Sequence, residues 1–262
     1  MSRADSNPPA PLGEGGVVVR ELVGASCGAR GLFTGIVTVD PGQSSIRYSR
    51  TANEVLILLD GEAAVEVENR RYRLATLDHA AIPASLPRRI VNLSADRPAT
   101  FHLSVASANP TLSRSEGPGS TIDQPHDAPP RVGAERVGRN SPEARHEHAP
   151  GAMFQDFFNA TMGMTGICGG YGLFDPGSRL PCHRHEFDES ITIVEGLATC
   201  IVEGNRYELS DNATALVPQG RCHYFINHTD RPMAMIWVYA GDMPDRIVME
   251  ESYCHPEMGR QE

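Results

Sequence analysis

Gly177-Ser-Arg-Leu-Pro-Cys-His183-Arg-His185-Glu-Phe-Asp-Glu189-Ser-Ile-Thr-Ile-Val-Glu-Gly196 sets two histidines two residues apart, with a carboxylate four further on. On an extended chain, residues of equal parity leave the same face, so His183 and His185 present their imidazoles together. Glu189 has the same parity and joins them if the chain stays extended or loops briefly. Downstream, Pro218-Gln-Gly220-Arg-Cys-His223-Tyr-Phe-Ile-Asn227 offers a third imidazole beside a glycine turn. Three neutral histidines and one carboxylate are donors for a divalent transition metal, with coordination positions left for water or substrate.

The same pattern of landmarks occurs earlier in the chain. Val39-Asp40-Pro41-Gly42 returns as Phe174-Asp175-Pro176-Gly177, an offset of 135 residues. Glu54 maps to Glu189, Gly61 to Gly196, Pro83 to Pro218 and Asn92 to Asn227, while Asp96-Arg97-Pro98 returns one residue early as Asp230-Arg231-Pro232. So many coincidences at one shift mean a duplicated domain. Each copy reads as short strands, such as Val55–Leu59, Ala63–Glu68, Ile191–Glu195 and Ala198–Glu203, punctuated by Asp-Gly, Glu-Gly and Gly-Asn turns. No stretch carries a long amphipathic helix, so the expectation is all-β, with a sandwich or small barrel in each half.

The two segments resemble the paired motifs of the cupin superfamily, G(X)5HXH(X)3-4E(X)6G and G(X)5PXG(X)2H(X)3N. The first is matched at every specified position; in the second, Asn212 stands at the leading glycine, a residue that tolerates left-handed backbone well. The resemblance implies a bicupin, two double-stranded β-helix (jelly-roll) barrels in tandem. It places a degenerate N-terminal barrel over 17–108 and a metal-binding C-terminal barrel over 150–250. A disordered tail (1–16), a Pro/Gly-rich linker (109–149) lying partly ordered across a barrel surface, and a C-terminal tail (251–262) complete the expected layout. It also implies one divalent ion per chain (Fe, Mn, Ni or Zn) held by His183, His185, Glu189 and His223. Cupins often dimerise, so a homodimer is expected on that ground alone.

At the ligand positions the first copy carries Tyr48, Arg50, Glu54 and Arg88. Guanidinium groups do not ligate cations, so this barrel is expected to be metal-free. Its residues form either a buried ion-pair cluster that fills the old pocket or an anion pocket in which Arg50 and Arg88 clamp a carboxylate; the first is the preferred reading. Around the metal set, Phe187, Phe225 and Trp237 are assigned to the substrate pocket, with Met233, Met235 and Tyr239 on the same strand face as Trp237. His146-Glu-His148 repeats the His-x-His spacing without a carboxylate partner and reads as solvated linker, and His228 has the parity that points away from the site.

Composition narrows the chemistry. The chain of 262 residues has a formal net charge of −10, and all 23 basic residues are arginine. Without lysine there is no Schiff-base chemistry, no P-loop lysine and no lysine general base. A net-acidic chain without a basic run argues against nucleic acid. The longest aliphatic run, Val55 to Leu59, is far short of a membrane span, and the N-terminus reads as no secretory signal. Cytoplasmic localisation follows as an expectation. The four N-x-[ST] triplets, at Asn92, Asn159, Asn212 and Asn227, are then coincidences, and the six cysteines, which show no CxxC or framework spacing, are reduced thiols.

These features lead to a metal-dependent enzyme acting on a small organic substrate. A non-haem metal dioxygenase is the first expectation, with Glu189 also a candidate proton shuttle. A redox-neutral isomerase or lyase on a sugar acid or hydroxy acid stands second, and a non-catalytic sensing or ligand-binding bicupin third. Oxalate decarboxylase-like bicupins are set aside because they normally keep ligands in both halves, and dimethylsulfoniopropionate lyases because Ile191 stands where they place a tyrosine.

Overall fold

The computed structural model describes residues 10–11, 15–117, 122–210 and 212–255. Each copy folds into two facing sheets, antiparallel throughout except where Ile122–Gln124 joins Arg70–Leu74 in parallel. In the second copy one sheet runs His146–Ala149, Ala152–Phe158, Cys168–Phe174, Met233–Tyr239, Glu189–Glu195, Thr214–Val217. The other runs Asn205–Ser210, Leu197–Val202, His223–Ile226, His183–Arg184, Ile247–Val248. From Cys168–Phe174 onward the chain crosses between the sheets at every step except the Leu197–Val202/Asn205–Ser210 hairpin, the jelly-roll arrangement that the motifs imply, and the first copy repeats it. No helix among the described residues is long and apolar enough to cross a membrane.

The duplication extends to backbone conformation. Positive φ recurs at the 135-residue offset, in Gly61 and Gly196, Glu68 and Glu203, Leu77 and Asn212, and Ser85 and Gly220. Asn212 adopts φ 62° where the motif has glycine. Buried Asn92 and Asn227 do the same work in each copy. The Asn227 amide donates to the carbonyls of Phe174, Asp175 and Arg231, and Asn92 donates to those of Val39, Asp40 and Arg97. These bonds tie the Asp-Pro-Gly turn to the strand carrying the last ligand.

Strand periodicity explains why some runs are apolar on both faces. On Glu54–Asp60, Leu56 and Leu58 enter the N-terminal barrel core, while Val55 and Ile57 enter a third core between the barrels. On Met233–Tyr239, Met233, Met235, Trp237 and Tyr239 line the C-terminal barrel, and Ala234, Ile236 and Val238 meet the first barrel. Each fully buried Val or Ile contributes about 1.5–3 kcal/mol, so the barrels adhere through their larger sheets. Polar contacts fix the register: Thr34 Oγ1 to Ser190 Oγ at 2.9 Å and His102 Nε2 to Thr192 Oγ1 at 3.2 Å.

Several expectations need correction. The segment 109–149 is built into the sheets: Leu112–Arg114 pairs with Tyr48–Arg50, Ile122–Gln124 with Arg70–Leu74, and Arg136–Gly138 with His79–Ile82. Its His146–Ala149 end is a strand paired with Ala152–Phe158; His146 and Glu147 are solvent-exposed as expected, but His148 is half-buried and packs on Phe154 at 4.8 Å. Cys182 and Cys254 form a disulfide across 72 residues of sequence, so they are not reduced thiols, and Glu251–Cys254 is a helical turn fastened to the barrel, not a free tail. Of the N-terminal tail, Ala10–Pro11 pairs with Val18 and Val19, while 1–9 and 12–14 lie outside the described residues, as do 256–262.

Candidate metal centre

Two sheets bring the four ligand residues together. His183 opens the short strand His183–Arg184 and pairs directly with His223, the first residue of His223–Ile226. After Arg184 the chain leaves the strand, carries His185 through a loop and re-enters the opposite sheet at Glu189. Gly220, at φ 81°, makes the turn before His223 and donates its N–H to the His185 carbonyl at 2.8 Å. Asp188 anchors the loop's far end. Its carboxylate accepts from the Gln219 N–H at 2.8 Å and from the Arg30 N–H at 2.7 Å, so the first barrel holds the residue next to Glu189.

All four side chains are buried, with one donor atom from each within 4.8 Å of the others. Each imidazole has its other nitrogen committed to a backbone carbonyl: His183 Nδ1 to Pro181 at 2.7 Å, His185 Nδ1 to Asp245 at 2.7 Å, His223 Nδ1 to Arg221 at 3.0 Å. A carbonyl only accepts, so Nδ1 carries the hydrogen and Nε2 turns its lone pair inward. Carbonyl partners of this kind orient metal-ligating histidines.

The inward atoms lack hydrogen-bond partners. His185 Nε2, His223 Nε2 and Glu189 Oε2 are buried without one, although His223 Nε2 lies 2.8 Å and His185 Nε2 3.3 Å from that carboxylate oxygen. Lone pairs facing a carboxylate at these distances repel, and a dication satisfies all of them where one proton does not. Burial holds the His183 pKa well below the ordinary imidazole value, helped by His223. For Glu189, burial favours the neutral acid, and a positive charge on the His185 and His223 side outweighs it and holds the pKa below the ordinary carboxylate value. The donor set, three imidazoles and a carboxylate, fits a divalent transition metal.

Of the three residues expected to line a pocket, two touch this group directly and the third reaches it through Tyr239. Phe187 stacks on the His185 ring at 5.5 Å, Phe225 stands edge-on to His223 at 6.4 Å, and Trp237 lies 4.9 Å from Tyr239. Tyr239 is closer to the centre than the sequence indicated, 4.4 Å ring to ring from His185. Burial pushes its pKa well above the ordinary phenol value, with Glu189 adding to the effect as neighbouring charge and hydrogen-bond partner. Its strand parity was legible, but not its proximity to Glu189. His148 is not in the ligand group, and His228 is exposed.

In the first barrel, Tyr48, Arg50, Glu54 and Arg88 also converge and are buried. The Tyr48 hydroxyl donates to Glu54 Oε1 at 2.9 Å, Arg88 Nε donates to the same oxygen at 3.0 Å, and Arg50 Nε donates to Oε2. Glu54 thus sits between the two guanidiniums.

The cupin-domain family model matches residues 35–106 and 170–239. No curated protein matches the chain in sequence. Among solved structures, the Lactobacillus farciminis oxalate decarboxylase–formate complex superposes with a TM-score of 0.73 at 14% identity, covering 95% of this chain and 89% of that one. The Bacillus subtilis oxalate decarboxylase, studied for its Mn(II) centres, gives 0.72 at 16% identity, covering 95% and 78%. At such identities the likeness is one of fold.

Proposed function

The chain belongs to the cupin family, with a domain match in each half, and on that footing we propose that it is a metal-dependent lyase acting on a small organic substrate, with His183, His185, Glu189 and His223 holding one divalent ion, manganese ahead of iron. The observation that carries this reading is the inward convergence of four buried ligand atoms whose imidazoles are each oriented by a carbonyl. When bound, the ion supplies Lewis acidity that stabilises negative charge on a substrate oxygen.

The chain's own residues supply positioning and protons. Phe187, Phe225, Trp237 and Tyr239 wall the site with aromatic surface that excludes water. Glu189 and Tyr239 are cross-strand neighbours beside the metal group, and they are the groups placed to handle a proton next to a reacting carbon, as a redox-neutral lyase requires. This pair, together with a fold shared with oxalate decarboxylases, favours the lyase over the dioxygenase expected from sequence, which has no observation of its own beyond the ligand set.

Elemental analysis followed by turnover assays tests the reading. One manganese or iron per chain, with product from a panel of hydroxy, keto and dicarboxylic acids and no net oxygen uptake, is the expected result. Stoichiometric oxygen consumption would restore the dioxygenase, and no metal after reconstitution would leave a ligand-binding bicupin.

A further inference from the structure

The duplication supplies an internal comparison for the residues around the metal group. Beyond the one-residue shortening before Asp230, equivalent positions lie 134 apart. Leu103 pairs with Gly35 as Trp237 pairs with Gly170, and Val105 pairs with Phe33 as Tyr239 pairs with Cys168. Ser113 pairs with Ser49 as Ile247 pairs with Arg184, which sets Leu112 and Arg246 at equivalent positions. Three aliphatic residues in the copy without imidazoles at the ligand positions are therefore an indole, a phenol and a guanidinium in the copy that has them.

Two of these donors lack an anionic partner. Trp237 Nε1 is buried without a hydrogen-bond partner, inside the barrel that holds the metal group. The indole's place is built for it: a Cβ on Gly170 would stand 2.8 Å from Trp237 Cζ2 and 2.1 Å from the Gln155 carbonyl, so only glycine leaves that wall open. Arg246 follows Asp245, whose carbonyl holds His185, and its guanidinium reaches the His148 carbonyl on the opposite edge strand at 3.4 Å. Among the described residues no carboxylate lies within ion-pair distance of it. Burial holds its pKa below the ordinary guanidinium value, against the pull of Tyr239 and Glu189.

We propose that Trp237 Nε1–H and the Arg246 guanidinium form an anion-recognition element over the metal group, so that the substrate is a small carboxylate held at one end by these two donors and facing His183, His185, Glu189 and His223 with the other. The proposal rests on the metal-site reading. A neutral substrate leaves the indole N–H and the half-buried cation unsatisfied, whereas a carboxylate satisfies both with charge-assisted hydrogen bonds. Arg246 acts as a specificity-determining residue.

Trp237 is the chain's single tryptophan, so intrinsic fluorescence reports from this pocket alone. Manganese-reconstituted protein, its metal content measured first, is titrated with oxalate and with its neutral analogue oxamide. The expected result is a saturable change with oxalate and none with oxamide. Arg246→Ala then weakens oxalate about tenfold to a hundredfold at unchanged manganese content, with Arg246→Lys in between. In calorimetry, Trp237→Phe, which keeps a ring but removes the N–H, weakens oxalate about tenfold. Equal oxalate affinity in Arg246→Ala and the parent, or oxamide binding as tightly as oxalate, overturns the proposal. Failure of the metal reading shows separately, as protein that takes up no manganese. In that protein an oxalate response dependent on Arg246 still upholds the anion element, and its absence overturns it.

Discussion

Glu54 and Glu189 occupy equivalent positions of the two copies and meet opposite partners. Glu54 accepts from Tyr48 and two arginines, while Glu189 faces imidazole lone pairs. Burial pushes Glu54 toward the neutral acid, but Arg88 and Arg50 outweigh it and hold its pKa below the ordinary carboxylate value. A depressed folded pKa contributes stability that is present above the unfolded value and lost as pH falls through the folded one. Glu54→Gln strands two buried cations, so urea unfolding at pH 7 should show a loss of about 3–5 kcal/mol, with weaker acid sensitivity below pH 4.5 than in the parent. Unchanged stability would mean that the cluster is solvated. In the second copy, His223→Ala should leave no bound manganese by elemental analysis while far-UV circular dichroism stays that of the parent; full metal retention would remove His223 from the ligand set. The residue types at both sites were legible in the sequence, because ligand chemistry and guanidinium chemistry exclude each other. The pairing of Glu54 with both arginines was the preferred reading of the sequence; which carboxylate oxygen meets which donor depends on side-chain packing, which motif spacing does not encode.

The strap after Met233–Tyr239 is the element that the sequence did not reveal. Ile247–Val248 pairs with His183–Arg184, the Asp245 carbonyl orients His185, and the Met249 N–H donates to the Cys182 carbonyl at 2.8 Å. The Cys182–Cys254 disulfide, the Arg179–Glu251 ion pair and a 2.6 Å hydrogen bond between the Tyr224 hydroxyl and His255 Nε2 fasten its end. The two cysteines lie in neither a short-spaced pair nor a framework, so nothing in the sequence joined them, and the groups that orient the imidazoles are backbone carbonyls, which every residue has. The motif made the candidate ligands legible; their supports come from tertiary structure. Cys254→Ser should lower stability by about 2–4 kcal/mol. It should also weaken manganese in chelator competition, because a loosened strap frees His185 Nδ1 from the Asp245 carbonyl. Reduction of the parent by a phosphine should reproduce both effects. A fall in melting temperature with unchanged manganese affinity would show that the strand pairing alone holds the strap.

Two copies explain the fold better than one, since each larger sheet is apolar on both faces only because the other barrel covers its outer side. The repeat made the duplication legible, and the unbroken aliphatic run Val55–Leu59 was its trace of face-to-face packing, indistinguishable in sequence from an ordinary buried strand. Two histidines lie at this junction. His102 bonds Thr192 of the other barrel, and His79 stacks on Phe157 at 4.2 Å. Burial lowers the His102 pKa to about 3 and that of His79 to about 4, the latter with Asp78 and Arg136 pulling in opposite directions. In the unfolded chain both protonate near 6.5, so as pH falls below that value the unfolded state binds protons that the folded state refuses. Their contribution is therefore complete above about pH 6.5 and declines by about 1.4 kcal/mol per pH unit for each histidine down to about pH 4. His102→Gln retains a group able to bond Thr192 and cannot titrate. Urea unfolding at several pH values between 6.5 and 4 should show a slope shallower by about one proton in this variant. An identical slope in variant and parent would mean that His102 protonates freely in the folded chain, and that the junction between the barrels admits water.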